Sequence, residues 1–144
     1  MVILSLEDIY SEIILDYAKN TKNKRIIEDA HEKKGKNLSC GDEIKIFIKP
    51  ENGIIKDVSF EGHGCIISQA SAAIMCDTIK GKTVEEAEDF IEEVLKMARG
   101  EDFDKEKLGE LDLFENIKDF PMRIKCFTLS WHTAKEDIEE IKEG

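Results

Sequence analysis

Four cysteines, Cys40, Cys65, Cys76 and Cys126, and one carboxylate two residues beyond the first of them, Asp42, are the groups in this chain best suited to chemistry. Thiolates and carboxylates together ligate soft and borderline divalent metals in tetrahedral sets. A thiolate near a positive charge or a helix start is also a nucleophile. The cysteines are 25, 11 and 50 residues apart, so no short C-x-x-C pair announces a site. What speaks for one is position. Cys40 precedes an alternating apolar run, Cys65 follows Gly62-His63-Gly64 at an expected helix start, and Cys126 comes soon after Pro121 at the start of the last expected helix. Unpaired amides and the macrodipole at helix starts favour thiolate. Core residues that happen to fall near helix ends would look the same, and an Asp opening a strand is commonly a turn or capping group.

Cys76 stands apart. Eleven residues beyond Cys65 on one continuous helix, it would lie about 16 Å away along the axis, too far for a shared metal centre, and it reads as a buried small apolar residue. His63, between two glycines, reads as an exposed loop residue, and His31 and His132 as surface residues. Arg123 and Lys125 flank Cys126, where their charge would lower its pKa or steer an anionic partner.

The elements that must position these groups follow from periodicity. Residues 5–19 carry Ile9, Ile13, Ile14 and Tyr17 at helical spacing. Residues 20–37 are polar and patternless, a loop or edge strand. Ile44, Ile46 and Ile48 alternate with Glu43, Lys45 and Lys49, and Pro50-Glu51-Asn52-Gly53 separates them from IIKDVSFEG, which predicts a β-hairpin over 43–61. IISQASAAIMCDTIKG predicts a buried helix of small residues ending at Gly81. Thr83-Val84-Glu85-Glu86 predicts a capping box for a helix to about Met97. The stretch 101–119 reads as a charged excursion with short apolar clusters, and Pro121 opens a last helix carrying Ile124, Phe127, Trp131, Ile138 and Ile141. The expectation is one α+β domain spanning 1–144, a small antiparallel sheet with helices packed on it.

Composition narrows the function classes. At 144 residues with 41% hydrophobic and 37% charged residues, the chain can bury a core without disulfides or metals. A net charge of -11 argues against nucleic acid, which demands clustered cations, and suits a basic surface on a partner protein. No apolar run is long enough for a membrane span and no signal peptide is legible. The location expected is cytoplasmic, with reduced thiols.

The segments NLSCGDEI, FEGHGCIISQASAAIM and RIKCFTLSW, together with LDYAKN and KGKTVEEA, resemble, in order and over nearly the whole chain, the cysteine motifs and flanks of the IscU/SufU (NifU N-terminal-like) iron-sulfur cluster assembly scaffolds. The excursion at about 100–119 is similar to the insertion of the SufU branch, and Lys125 stands where the IscU branch has histidine. The resemblance implies Cys40, Asp42, Cys65 and Cys126 as ligands of a transient [2Fe-2S] cluster or of Zn2+, with Cys40 or Cys126 as the sulfur acceptor. It implies a cysteine desulfurase as persulfide donor and downstream acceptor or carrier proteins as recipients. Two roles follow from it, a cluster scaffold or a zinc-dependent sulfurtransferase, with a structural zinc domain as the third and weakest reading. His63 falls on a family-variable position, Cys76 matches no family ligand, and Leu38 replaces the usual proline.

Overall fold

The computed structural model describes residues 12–19, 22–38 and 41–144, with the backbone alone at Glu110 and Leu113. The chain runs α1 (Glu12–Lys19), β1 (His31–Asn37), β2 (Asp42–Glu51), β3 (Ile54–His63), α2 (Ile66–Ile79), α3 (Val84–Arg99), a single turn α4 (Lys105–Leu108), a 3-10 stretch (Gly109–Asp119) and α5 (Pro121–Glu143). The three strands form one antiparallel sheet in the order β1-β2-β3. The expected α+β architecture is therefore the observed one. The part of the first helix expected before Glu12 lies outside the described residues.

Alternation along β2 turns Ile44, Ile46 and Ile48 inward, all buried. The turn to β3 is Asn52-Gly53, both at positive φ, as the twist of a two-residue hairpin demands. Phe47, on the opposite face from the isoleucines, is also buried and lies under the Lys45 ammonium, 5.8 Å from the ring centre. β1 pairs with β2 from His31↔Ile48 to Asn37↔Asp42. Its sequence, HEKKGKN, has no apolar alternation because it is an edge strand, where lysines guard an open rim.

α2 is buried on nearly every side, from Ile67 to Ile79, so an alternating pattern would be wrong for it. Its small residues let neighbours approach closely. Ser71 Oγ donates to the Phe127 carbonyl at 2.6 Å and accepts from Trp131 Nε1 at 2.8 Å. Those bonds fix α2 against α5. The fully buried Trp131 completes the layer between the rings of Phe90 and Phe127. α3 opens with the expected capping box: Glu86 N donates to Thr83 Oγ1 at 3.1 Å and Thr83 N to Glu86 Oε1 at 3.0 Å.

The excursion at 101–119 differs from expectation. It is a helical cap on the core, with Leu108, Leu111, Phe114 and Ile117 all buried and the Phe114 ring 4.6 Å from that of Phe127. Their spacing is three residues throughout, the repeat of a 3-10 helix.

Gly35 lets α5 lie against β1. A Cβ there would collide with Thr133 Oγ1 and crowd Leu129. Gly35→Ala should therefore cost about 1–3 kcal/mol, as overpacking does. Urea denaturation followed by Trp131 fluorescence measures it, and a second change, Thr133→Ala, should return part of the loss.

Candidate metal centre

The fold gathers three distant residues at one end of the sheet. Asp42 is the first residue of β2, Cys65 is the N-cap of α2, and Cys126 lies in the second turn of α5. One donor atom from each lies within 4.8 Å of the other two. A tetrahedral zinc with bonds of about 2.3 Å to sulfur sets its ligands about 3.8 Å apart, so a contraction of roughly an ångström closes the set. Two soft thiolates with one hard carboxylate suit zinc or iron.

The fourth residue expected from the sequence, Cys40, lies outside the described residues. Its setting in the chain is nevertheless informative. The strand residues on either side, Asn37 and Asp42, pair across β1 and β2, and Gly41 takes a left-handed φ of 69°, which glycine adopts without penalty. Leu38 is 89% exposed.

Asp42 is nearly fully buried, and its carboxylate is built into the start of α2. Oδ1 accepts from the Cys65 backbone N–H at 2.9 Å and from Ser68 Oγ at 3.4 Å. The Cys65 side chain makes no capping bond, so a carboxylate from a strand serves the helix start that has no cap of its own. Gly64 makes room for it, because a Cβ there would strike both Ser68 Oγ and Asp42 Oδ1. The Asp42 carboxylate thus serves the start of α2 while one of its oxygens lies in the donor cluster. Asn37, on the facing strand end, donates from Nδ2 to Asp42 Oδ2 at 3.4 Å and to Cys126 Sγ at 3.7 Å.

The thiols are not equivalent. Cys65 is half-buried as the N-cap residue of α2. Cys126 is corrected on this point: it is the sixth residue of α5, past the unpaired amides of the first turn, and wholly buried. Its Sγ donates to the Met122 carbonyl at 3.6 Å. Among the described residues, Cys65, Cys76 and Cys126 form no disulfide.

Cys76 stands away from this cluster, as its spacing requires. Burial, then the Asp77 charge, pushes its thiol well above the ordinary range, so it stays protonated and inert. His63 ends β3 with its ring exposed and Nε2 3.1 Å from Glu43 Oε2, outside the donor cluster. His132 is lowered by burial and then by Lys135, and also lies outside it. Lys125 is exposed beside Cys126. Asn37, Gly64 and Ser68 were not among the residues expected from sequence. Among the described residues, no helix is long and apolar enough to cross a membrane.

Comparison with known proteins agrees with this geometry. The chain is 51% identical over 133 residues to the iron-sulfur cluster assembly scaffold protein IscU of Thermotoga maritima, covering 92% of this chain and 94% of that one. It is 36% identical to the zinc-dependent sulfurtransferase SufU of Bacillus subtilis, covering 97% and 96%. A crystal structure of a putative iron-sulfur cluster assembly scaffold protein for the SUF system, from Fervidobacterium islandicum, superposes with a TM-score of 0.89 at 44% identity, covering 93% of this chain and 99% of that one. Residues 9–127 match the sequence profile of the NifU-like N terminal domain, and the chain belongs to that family.

Proposed function

We propose that this chain is an iron-sulfur cluster assembly scaffold that takes sulfur from a cysteine desulfurase and holds a transient [2Fe-2S] cluster on Cys40, Asp42, Cys65 and Cys126 before passing it to acceptor proteins. The observation that carries the reading is the convergence of Asp42, Cys65 and Cys126 within 4.8 Å, with Cys40 two residues before Asp42 in the sequence. The Thermotoga maritima relative, 51% identical over 133 residues, bears the scaffold name. Iron and sulfide are cargo here, and replacing one soft thiolate with a hard carboxylate leaves that corner of the site easier to open.

Sulfur enters by exchange. The Cys40 thiolate attacks the outer sulfur of the donor's persulfide, an S–S bond forms on Cys40, the donor's S–S bond breaks, and its electron pair leaves on the donor's thiolate. Cys126 is wholly buried, which hinders its attack on a donor's persulfide. Cys65 N–H and Ser68 meanwhile hold Asp42 in place.

A second reading, a zinc-dependent sulfurtransferase, is favoured by the likeness to SufU and by Lys125 in the position where histidine marks the other branch. In it, Cys40, Asp42, Cys65 and Cys126 would hold Zn2+, which would keep the thiols ionised near neutral pH, and Cys40 would be the thiolate that accepts sulfur.

Anaerobic purification, metal analysis, and incubation with a desulfurase, cysteine and iron separate the two. A visible chromophore that is lost in Cys65→Ser and Cys126→Ser supports the scaffold. Retained zinc without a chromophore, with desulfurase turnover that rises on adding the protein and collapses for Cys40→Ser, overturns it in favour of the second.

A further inference from the structure

Asn37 is the last residue of β1, stands opposite Asp42 in the hairpin register, and is 7% exposed. Its amide nitrogen carries two hydrogens, and it sits within reach of two different donor residues of the cluster, 3.4 Å from Asp42 Oδ2 and 3.7 Å from Cys126 Sγ. The two oxygens of Asp42 are held unequally. Oδ1 is engaged at 2.9 Å by the start of α2, while Oδ2 has the longer contact with Asn37. A neutral donor between a carboxylate and a thiol draws electron density from both without adding a charge. A cation would bind them too firmly to release, and an apolar side chain would leave two anions to repel each other.

We propose that Asn37 is a positioning residue of the metal centre, a neutral double donor that sets the approach of Asp42 Oδ2 to Cys126 Sγ and tempers the electron donation of the Cys126 thiolate to a bound metal. This rests on the metal-binding reading above. A hydrogen bond to thiolate lowers the energy of the sulfur lone pairs, so its loss raises them. Sulfur-to-metal charge transfer then moves to lower energy.

The test uses the full chain, stripped of metal and titrated anaerobically with Co2+ alone, reading the thiolate-to-cobalt charge-transfer band and the affinity by chelator competition. Asn37→Ala should bind Co2+ about 10–100-fold more weakly, the usual cost of a lost outer partner, and shift the band to lower energy. Asn37→Ser, which keeps one O–H donor, should recover part of both. Asn37→Leu fills the same space without a donor and supplies the comparison if the smaller variant does not fold, near-UV circular dichroism of Trp131 being the check. Weaker binding with an unmoved band would reduce Asn37 to packing and overturn the inference, as would an unchanged protein. A parent chain that shows no thiolate band at all would instead overturn the metal-site reading on which it stands.

Discussion

Replacing Asp42 by alanine is expected to damage the protein twice, once in its fold and once in its metal site. In the fold, the Cys65 N–H loses the acceptor 2.9 Å away at a helix start whose own N-cap side chain makes no capping bond. Loss of a cap costs about 1–2 kcal/mol, read as a lower urea midpoint for the metal-free protein. In the site, zinc or cobalt affinity should fall by more than the roughly 10–100-fold typical of outer-shell losses. Asp42→Asn separates the two effects. Its amide carbonyl can still accept from Cys65 N–H, so the urea midpoint should stay near the parent's, while the negative charge the proposed metal site offers is gone and affinity should fall. If both variants lose stability equally, the cap is not carried by the Oδ1 contact. If both keep parental affinity, Asp42 is not a ligand.

The same geometry gives Asp42→Cys the opposite sign at the metal. A third described thiolate makes a softer set, so bound iron or zinc should leave more slowly to a chelator. The cap is lost in exchange, since a thiolate is a weaker acceptor than a carboxylate, and the apo protein should be less stable than the parent. A protein that holds its metal more firmly and folds less firmly is the signature of a carboxylate kept for both tasks.

How much of this was legible in the sequence depends on how local each feature is. The hairpin, the capping box and the buried helix of small residues were readable because their signals lie within a few residues, as in Asn52-Gly53 and Thr83-x-x-Glu86. The 101–119 stretch was not, although Leu108, Leu111, Phe114 and Ile117 carry a strict three-residue repeat. Apolar residues at that interval amid Glu, Asp and Lys satisfy neither the strand nor the α-helix template, so the charges dominate the reading. The ligand candidates became visible through the family motifs, since spacing alone left Cys65 and Cys126 open to a core reading. Asn37 and Ser68 were invisible for a different reason. Their contacts with Asp42 cross the hairpin or join a strand to a helix, and only folding brings those pairs together. The structure also separates features that the sequence had joined: both later thiols were expected at helix starts, yet only Cys65 caps a helix, while Cys126 lies a turn inside one.

Asp137 is a buried carboxylate on α5, and it predicts how stability varies with pH. Its side chain is fully buried on α5, and among the described residues neither carboxylate oxygen has a hydrogen-bond partner. Burial, aided by Glu140 and Glu32 and opposed by Lys33, pushes its pKa up to about 7 from an ordinary 3.8. The sign follows from proton binding. Below about pH 4 the folded and unfolded chains both hold the proton. Between about 4 and 7 the unfolded chain releases it while the folded chain keeps it, so this group's contribution to stability falls as pH rises. Above about 7 the penalty is constant. The interval would amount to about 4 kcal/mol at ~1.4 kcal/mol per unit, an upper limit that water entry and side-chain relaxation reduce to about 1–3 kcal/mol. Asp137→Asn, which cannot ionise, should therefore leave stability little changed at pH 4.5 and raise it at pH 8, with urea midpoints at the two pH values as the measurement. The Lys33–Glu140 ion pair, at 2.9 Å, lies beside this carboxylate. Lys33→Met should therefore push the Asp137 pKa higher still and extend the fall to higher pH, a dependence that Asp137→Asn should abolish. Equal gains at both pH values would mean that the buried carboxylate is not the group that titrates.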